Sequence, residues 1–266
     1  WEDLLVFYHP TVLSQLTALK EYFLERESTG TFDSVDDWIR MVCLNRLTGH
    51  SPGFFSVYSL PPNQSASIAS QKRINEKRNQ TPGPKDLVAI ILKKSRQLLG
   101  DVQGPALENL AAVRDQALFI TAPCSSTPKI ASNSIDLVVT SPPFLNVIQY
   151  AEDNWLRCWF IGFDAQKLGI TFTGSLKEWR RVMTEVLGEL RRVLKPEGRI
   201  AFEVGEVQGG KTRLEESVTP CAMDAGLRAE LVLINDQEFT KTANCWGVDN
   251  NGKGTNTNRI VVLAKD

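Results

Sequence analysis

The residues best suited to chemistry in this chain are four consecutive ones, Ser141, Pro142, Pro143 and Phe144. Each proline fixes its φ angle at about −65° and removes a backbone donor, and Pro142 also pushes Ser141 toward an extended conformation. The turn therefore carries a hydroxyl group, carbonyls without neighbouring N–H groups, and an aromatic ring. Such a set can accept hydrogen bonds from an exocyclic amine while Phe144 stacks on a flat polar ring. A plain strand exit with a core phenylalanine is the alternative interpretation.

The composition indicates a globular protein of one large domain or two small ones. The chain has 266 residues, a net charge of −1 and 42% hydrophobic residues. It has no apolar run of about 18 residues and no signal-peptide pattern, so we expect no membrane association. Five widely spaced cysteines and only two histidines favour neither a disulfide framework nor a metal site. We therefore expect a cytoplasmic protein without a bound metal.

Positive charge is concentrated between residues 71 and 96, although the whole chain is nearly neutral. Four of these cations are close together in the sequence: Lys72, Arg73, Lys77 and Arg78. A local basic stretch of this kind can contact the phosphates of a nucleic acid. The alternative is a solvated helix face, which is the usual role of a run of charges.

The chain up to about residue 115 is predicted to be mainly helical. Apolar residues recur at helical spacing, and glycines or prolines interrupt the pattern. A capping box beginning at Ser34 is expected to open the second helix. The predicted helices span residues 11–26, 34–47, 86–99 and 105–114.

From Ala117 onward, short apolar runs alternate with helical patterns. The predicted strands are 117–121, 135–140, 199–204, 229–234 and 259–264, and the predicted helices are 146–160, 175–194 and 215–225. Residues 195–198 are expected to end the long helix. This alternation predicts an α/β doubly wound sheet. In such sheets ligands bind beyond the carboxyl ends of the strands. Ser141 follows one such end, which favours a binding role for the proline turn.

Two segments carry a resemblance to a known family. Residues 136–144, which end in Thr-Ser-Pro-Pro-Phe, resemble motif IV of the amino-group DNA methyltransferases, whose form is (S/D/N)-P-P-(Y/F/W). Residues 190–200 resemble the segment that leads into the fifth strand of class I S-adenosylmethionine (SAM)-dependent methyltransferases. The resemblance covers roughly residues 117–266. Serine at the position of Ser141 is typical of cytosine-N4 enzymes, whereas aspartate is typical of adenine-N6 enzymes.

The resemblance implies a Rossmann-like sheet and direct methyl transfer from SAM to the exocyclic N4 of a cytosine in double-stranded DNA. The target base would be flipped out of the duplex. Ser141 and Pro142 would hold the amine, Pro143 would stiffen the turn, and Phe144 would stack on the base. A cognate restriction enzyme is a candidate partner. The alternatives are adenine-N6 methylation of DNA, amino-group methylation of RNA, or an inactive methyltransferase-like module that binds nucleic acid.

One part of the family pattern is absent, namely the glycine-rich turn that binds SAM. The nearest glycine cluster, residues 204–210, follows the predicted strand 199–204, which corresponds to the fifth strand of the family. It is therefore in the wrong place to bind SAM. Thr121 and Thr140 remain as candidate cofactor contacts. We expect the first two strands to lie upstream of Trp1. Residues 1–115 would then be a helical insertion that recognises target DNA, and residues 116–266 the catalytic half.

A polar segment, residues 242–258, separates the last two predicted strands. Family analogy puts this hairpin beside the flipped base. Its Asn256 and Asn258 could bond base edges or phosphates. The alternative is a polar hairpin loop without contact to DNA.

Overall fold

The structure, a computed structural model, describes residues 2–60, 64–143, 145, 150–167, 173–207, 212–236 and 257–265. The chain forms two compact units. The first comprises Trp1–Ala117 and Tyr150–Gly169, and the second comprises Leu118–Gln149 and Ile170–Asp266.

The first unit is helical. Its helices are α1 (Pro10–Ser28), α2 (Ser34–Arg46), α3 (Ile68–Arg78), α4 (Leu87–Leu99), α5 (Pro105–Arg114) and α6 (Tyr150–Phe160), with short 3-10 helices at Glu2–Val6 and Ala165–Lys167. Its core buries Phe7, Tyr8 and Leu16 completely, together with Leu156 and Phe160 of α6. The chain therefore returns to this unit after residue 150, so the division is not a single boundary near residue 115. A role of this unit in DNA recognition stays a prediction.

The N-cap of α2 lies one residue before the expected position. The expected capping box began at Ser34, but the N-cap is Asp33, whose carboxylate accepts from the backbone N–H groups of Val35 and Asp36. Asp36 completes the box by accepting from the Asp33 N–H at 3.1 Å. Aspartate and serine are comparable caps. Asp33 is the N-cap because its backbone is extended and the helix begins at the next residue, Ser34.

The second unit is an α/β structure. Its strands are β1 (Ile135–Thr140), β2 (Leu194–Val204), β3 (Glu206–Val207), β4 (Thr212–Arg213), β5 (Leu227–Asp236) and β6 (Thr257–Lys265), and its helices are α7 (Leu176–Val193) and α8 (Leu214–Asp224). Four strands form one open sheet in the order β1-β2-β6-β5. The pair β1–β2 is parallel, whereas β6 is antiparallel to both neighbours. The predicted α/β class is thus confirmed, and the mixed open sheet is consistent with a Rossmann-like fold.

Helix α7 covers one face of this sheet. Apolar residues at helical spacing are buried at Trp179, Met183 and Leu187, and these side chains join Ile200 and Phe202 of β2 in one hydrophobic cluster. The helix ends at Val193, and β2 begins at the next residue. Residues 195–198, expected to end the helix, therefore lie inside the strand.

The predicted strand at residues 117–121 is wrong. These residues have no regular secondary structure, and Leu118 and Phe119 are 60% and 93% exposed. A strand requires a partner for its backbone N–H and C=O groups. In the described part of the chain β1 pairs with β2 alone, and no strand adjoins residues 117–121. An apolar sequence alone is therefore insufficient to form a strand.

Neither a membrane-crossing helix nor a metal-binding cluster occurs in the described residues. No described helix is both long enough and apolar enough to span a bilayer. In the same residues, no three or more His, Cys, Asp or Glu side chains are grouped so that they could hold a metal ion.

Candidate active site

The proline turn lies at the carboxyl end of β1. Thr140 ends the strand and pairs with Phe202 of the parallel strand β2. Ser141, the next residue, is exposed, and Pro142 and Pro143 are half-buried. No described residue forms a hydrogen bond with the Ser141 hydroxyl or the Pro142 carbonyl. Both groups can therefore accept hydrogen bonds from a ligand. The fourth predicted residue, Phe144, lies outside the described residues.

A tryptophan on the apolar face of α7 contacts this turn. Trp179 lies in the first turn of α7 and is 2% exposed. Its indole Nε1 donates a hydrogen bond to the Pro143 carbonyl oxygen at 2.9 Å. The two residues are 36 positions apart in the chain, so no local sequence pattern could have indicated the contact.

A buried ion pair lies at the same edge of the sheet. Arg259 of β6 pairs in register with Val204, the last residue of β2. Its guanidinium donates to the carboxylate of Glu215, in the first turn of α8, and both residues are buried. The Glu215 Oε2 atom is buried without a hydrogen-bond partner in the structure. This pair ties the start of β6 and the start of α8 together beside the carboxyl end of β2.

The two residues proposed to contact the cofactor differ in position. Thr140 is half-buried at the end of β1, next to the proline turn. Thr121 is exposed and follows the segment that forms no strand. The described residues thus include acceptors suited to a substrate amine. They include no recognisable cradle for SAM.

The hairpin candidates are only partly described. Asn258 is exposed and belongs to β6, where it pairs with Asn235 of β5. Asn256 lies outside the described residues. The prediction that these side chains meet DNA stays open at both positions.

The basic residues of α3 form an exposed surface on the first unit. Lys72, Arg73, Lys77 and Arg78 are all exposed, and the Arg78 guanidinium lies 3.8 Å from the centroid of the Tyr58 ring.

Two side-chain amides on the inner face of α3 fix the helix in place. Gln71 donates to the Tyr58 carbonyl at 3.0 Å, and Asn75 donates to the Val6 carbonyl at 2.8 Å. The helix is thus held by its polar inner face, and its cations are presented to solvent.

Lys85, which lies in the same basic stretch, has a structural role instead. Its Nζ donates to the carbonyl oxygens of Phe54 and Ser56 at 2.6 and 2.5 Å. Burial lowers the pKa of this ammonium group. Lys85 therefore holds the loop before α3 and is not placed to bind phosphate.

Comparison with known proteins gives only partial similarities. No protein-family profile matches the chain, and no curated protein matches it. A candidate DNA modification methylase from Thermus thermophilus, solved in complex with S-adenosyl-L-methionine, is 17% identical over 51% of this chain and 49% of its own, with a TM-score of 0.30. A SAM-dependent methyltransferase from Methanosarcina mazei is 12% identical over 62% of this chain and 79% of its own, with a TM-score of 0.32.

A third solved structure is similar to the same extent. A SAM-dependent methyltransferase from Leishmania major is 13% identical over 57% of this chain and 49% of its own, with a TM-score of 0.31. The chain spans about half the length of the Thermus and Leishmania proteins. Similarities this partial and this low in score assign neither a family nor a substrate.

Proposed function

We propose that this chain belongs to a SAM-dependent DNA methyltransferase that methylates the exocyclic N4 of a flipped-out cytosine. The observation that carries the proposal is the Ser141-Pro142-Pro143 turn at the carboxyl end of β1, with the Ser141 hydroxyl exposed. Ligands of open α/β sheets bind at this position. The serine, rather than an aspartate, favours cytosine on the resemblance described above.

Methyl transfer to an exocyclic amine requires that the turn hold the amine in position. The lone pair of an exocyclic amine is delocalised into the base, so the nitrogen attacks only when its N–H bonds are held out of the plane of the ring. The Ser141 hydroxyl and the Pro142 carbonyl can accept those two N–H groups. SAM, when bound, supplies an electrophilic methyl group. Because Pro142 and Pro143 have no N–H, the turn offers no competing backbone donor at either position.

Double-stranded DNA is proposed as the substrate, with α3 contacting its phosphates. Lys72, Arg73 and Lys77 are exposed on a helix whose inner face is fixed by two side-chain amides. A fixed helix loses little conformational freedom when its cations meet phosphates. Contacts of this kind add affinity without sequence preference.

Substitution of Ser141 tests the site. We expect Ser141→Ala to lower the rate of methyl transfer at least about 100-fold, because an acceptor that orients the amine is lost. SAM affinity, measured by calorimetry, should change less than about threefold. Ser126→Ala removes an exposed serine hydroxyl from the loop that precedes β1 and should leave the rate unchanged. Full transfer by Ser141→Ala would remove the turn from the active site.

Charge reversal tests the DNA-binding surface. Glutamate at Lys72, Arg73 and Lys77 should weaken DNA binding and reduce the slope of log K against log salt concentration by about 0.9 for each lost phosphate contact. The control reverses two cations, Lys93 and Arg96, which are exposed on α4 of the same unit. Equal salt slopes for both variants and the unaltered protein would make α3 a solvated face.

A further inference from the structure

The indole of Trp179 determines which carbonyls of the proline turn remain open. Three successive residues, Ser141, Pro142 and Pro143, present carbonyl oxygens, and an indole N–H is a donor only. Trp179 donates to the third of these carbonyls at 2.9 Å. In the described part of the chain no residue donates a hydrogen bond to the Ser141 or Pro142 carbonyl. The hydrogen bond therefore withdraws Pro143 from competition for a substrate amine and leaves the first two residues as acceptors.

The same hydrogen bond restricts the orientation of the Pro142 carbonyl. Peptide units are planar, and the pyrrolidine ring of Pro143 fixes its φ angle. Only the ψ angle of Pro143 then separates the plane that contains the Pro142 carbonyl from the plane that contains the Pro143 carbonyl. Holding the second carbonyl against Trp179 therefore leaves one soft angle to determine the direction of the first.

The turn is also held by packing in the second unit. Leu145, two residues after Pro143, is 3% exposed and belongs to the same hydrophobic cluster as Trp179. The backbone N–H of Trp179 donates to the Ser175 carbonyl at 2.9 Å, which is the first hydrogen bond of α7. The donor is thus part of a packed helix and not of a loop. A donor on a rigid element can hold a reacting group more closely than one on a loop.

We propose that Trp179 is a positioning residue for methyl transfer, because its indole N–H holds the Pro143 carbonyl and thereby orients the Pro142 carbonyl toward the substrate amine. This inference rests on the proposed function of the turn. It assigns to Trp179 a role in turnover beyond its contribution to the hydrophobic cluster.

Two substitutions separate the N–H group from the ring. Trp179→Phe removes the donor and part of the ring system. Replacement of Trp179 by benzothienylalanine exchanges the N–H for sulfur and keeps the two-ring shape. We expect both variants to lower kcat about 10- to 100-fold, since small misplacements of reacting groups have effects of this size. KM for DNA and the affinity for SAM should stay within about threefold.

Met183→Ala is the matched control. Met183 lies one turn further along α7, is 3% exposed and belongs to the same cluster, but no hydrogen bond links it to the turn. This variant should lower the melting temperature at least as much as Trp179→Phe while kcat changes less than about threefold. An equal loss of kcat in Met183→Ala, or full kcat in the benzothienylalanine variant, would overturn the inference. If the unaltered protein transfers no methyl group, the proposed function fails and the inference falls with it.

Discussion

The carboxylate of Glu189, on α7, anchors the loop that leads into β1. It accepts from the backbone N–H and the hydroxyl of Thr127 at 2.7 and 2.6 Å, and from two guanidinium nitrogens of Arg192 at 2.8 and 2.7 Å. The hydrogen bonds from Arg192, followed by those from Thr127, lower the pKa of Glu189 from 4.5 to about 2. We predict that Glu189→Gln destabilises the protein in a pH-dependent way.

The magnitude follows from this pKa difference. A shift from 4.5 to about 2 corresponds to about 3.4 kcal/mol, at 1.36 kcal/mol for each pKa unit. This is a ceiling, because the Arg192 side chain is 35% exposed and water screens the pair. Glutamine also keeps one carbonyl acceptor. We therefore expect a loss of about 1–2 kcal/mol in the free energy of unfolding at pH 7.

The loss of unfolding free energy in Glu189→Gln should decrease as the pH falls. A carboxyl group whose pKa is lowered in the folded state stabilises the fold above its unfolded-state pKa, and this contribution disappears as the pH falls through the folded-state pKa. The difference between Glu189→Gln and the unaltered protein should therefore be largest above pH 5. It should fall to less than about half by pH 3 and disappear below pH 2.

Urea denaturation at pH 7 and at pH 3 measures this difference. The control is Glu185→Gln, which alters an exposed ion pair with Arg181 on the same helix and should cost less than about 0.5 kcal/mol at either pH. A loss in Glu189→Gln that is the same at both pH values would contradict this prediction, since it could not come from the ionised carboxylate.

Two further predictions concern the half-buried Lys85 and the buried Arg259. Lys85→Met should cost about 1–3 kcal/mol, because the carbonyls of Phe54 and Ser56 lose their donor; limited proteolysis should then cut the loop before α3 faster, and unchanged cleavage would contradict this role of Lys85. Arg259→Met should cost about 3–5 kcal/mol by leaving the Glu215 carboxylate buried and unpaired. The double variant with Glu215→Gln should recover part of that loss in thermal unfolding, and additive losses would show that the pair is not coupled.

Local patterns predicted the elements that depend on local interactions. The strand at residues 135–140 was predicted with the bounds that β1 has, because an apolar run ends there at two prolines. The buried stripe of α7 follows from helical periodicity, which the sequence displays directly. The segment at residues 117–121 has an equally apolar sequence and no strand structure. Pairing with a neighbour decides strand formation, and that neighbour is not visible in the segment itself.

Sequence predicts the proline turn of the candidate site but not the long-range contacts around it, for the same reason. Residue types alone identify the proline turn, because two prolines after a serine impose their geometry wherever they occur. The contact from Trp179 and the ion pair between Glu215 and Arg259 join residues 36 and 44 positions apart. Helical spacing puts Trp179 on the apolar face of α7, and the structure buries it. The spacing could not indicate where the indole N–H is directed.

The identity of the methylated nucleoside tests cytosine-N4 methylation most directly. Duplex DNA is incubated with the protein and SAM that carries a deuterated methyl group, digested to nucleosides and analysed by mass spectrometry. We predict deuterated N4-methyl-2′-deoxycytidine, which should be lost in Ser141→Ala. Label found only in N6-methyladenine, or only in RNA, would contradict cytosine-N4 specificity. Absence of label from every nucleoside, with SAM bound to the protein, would contradict methyl transfer itself.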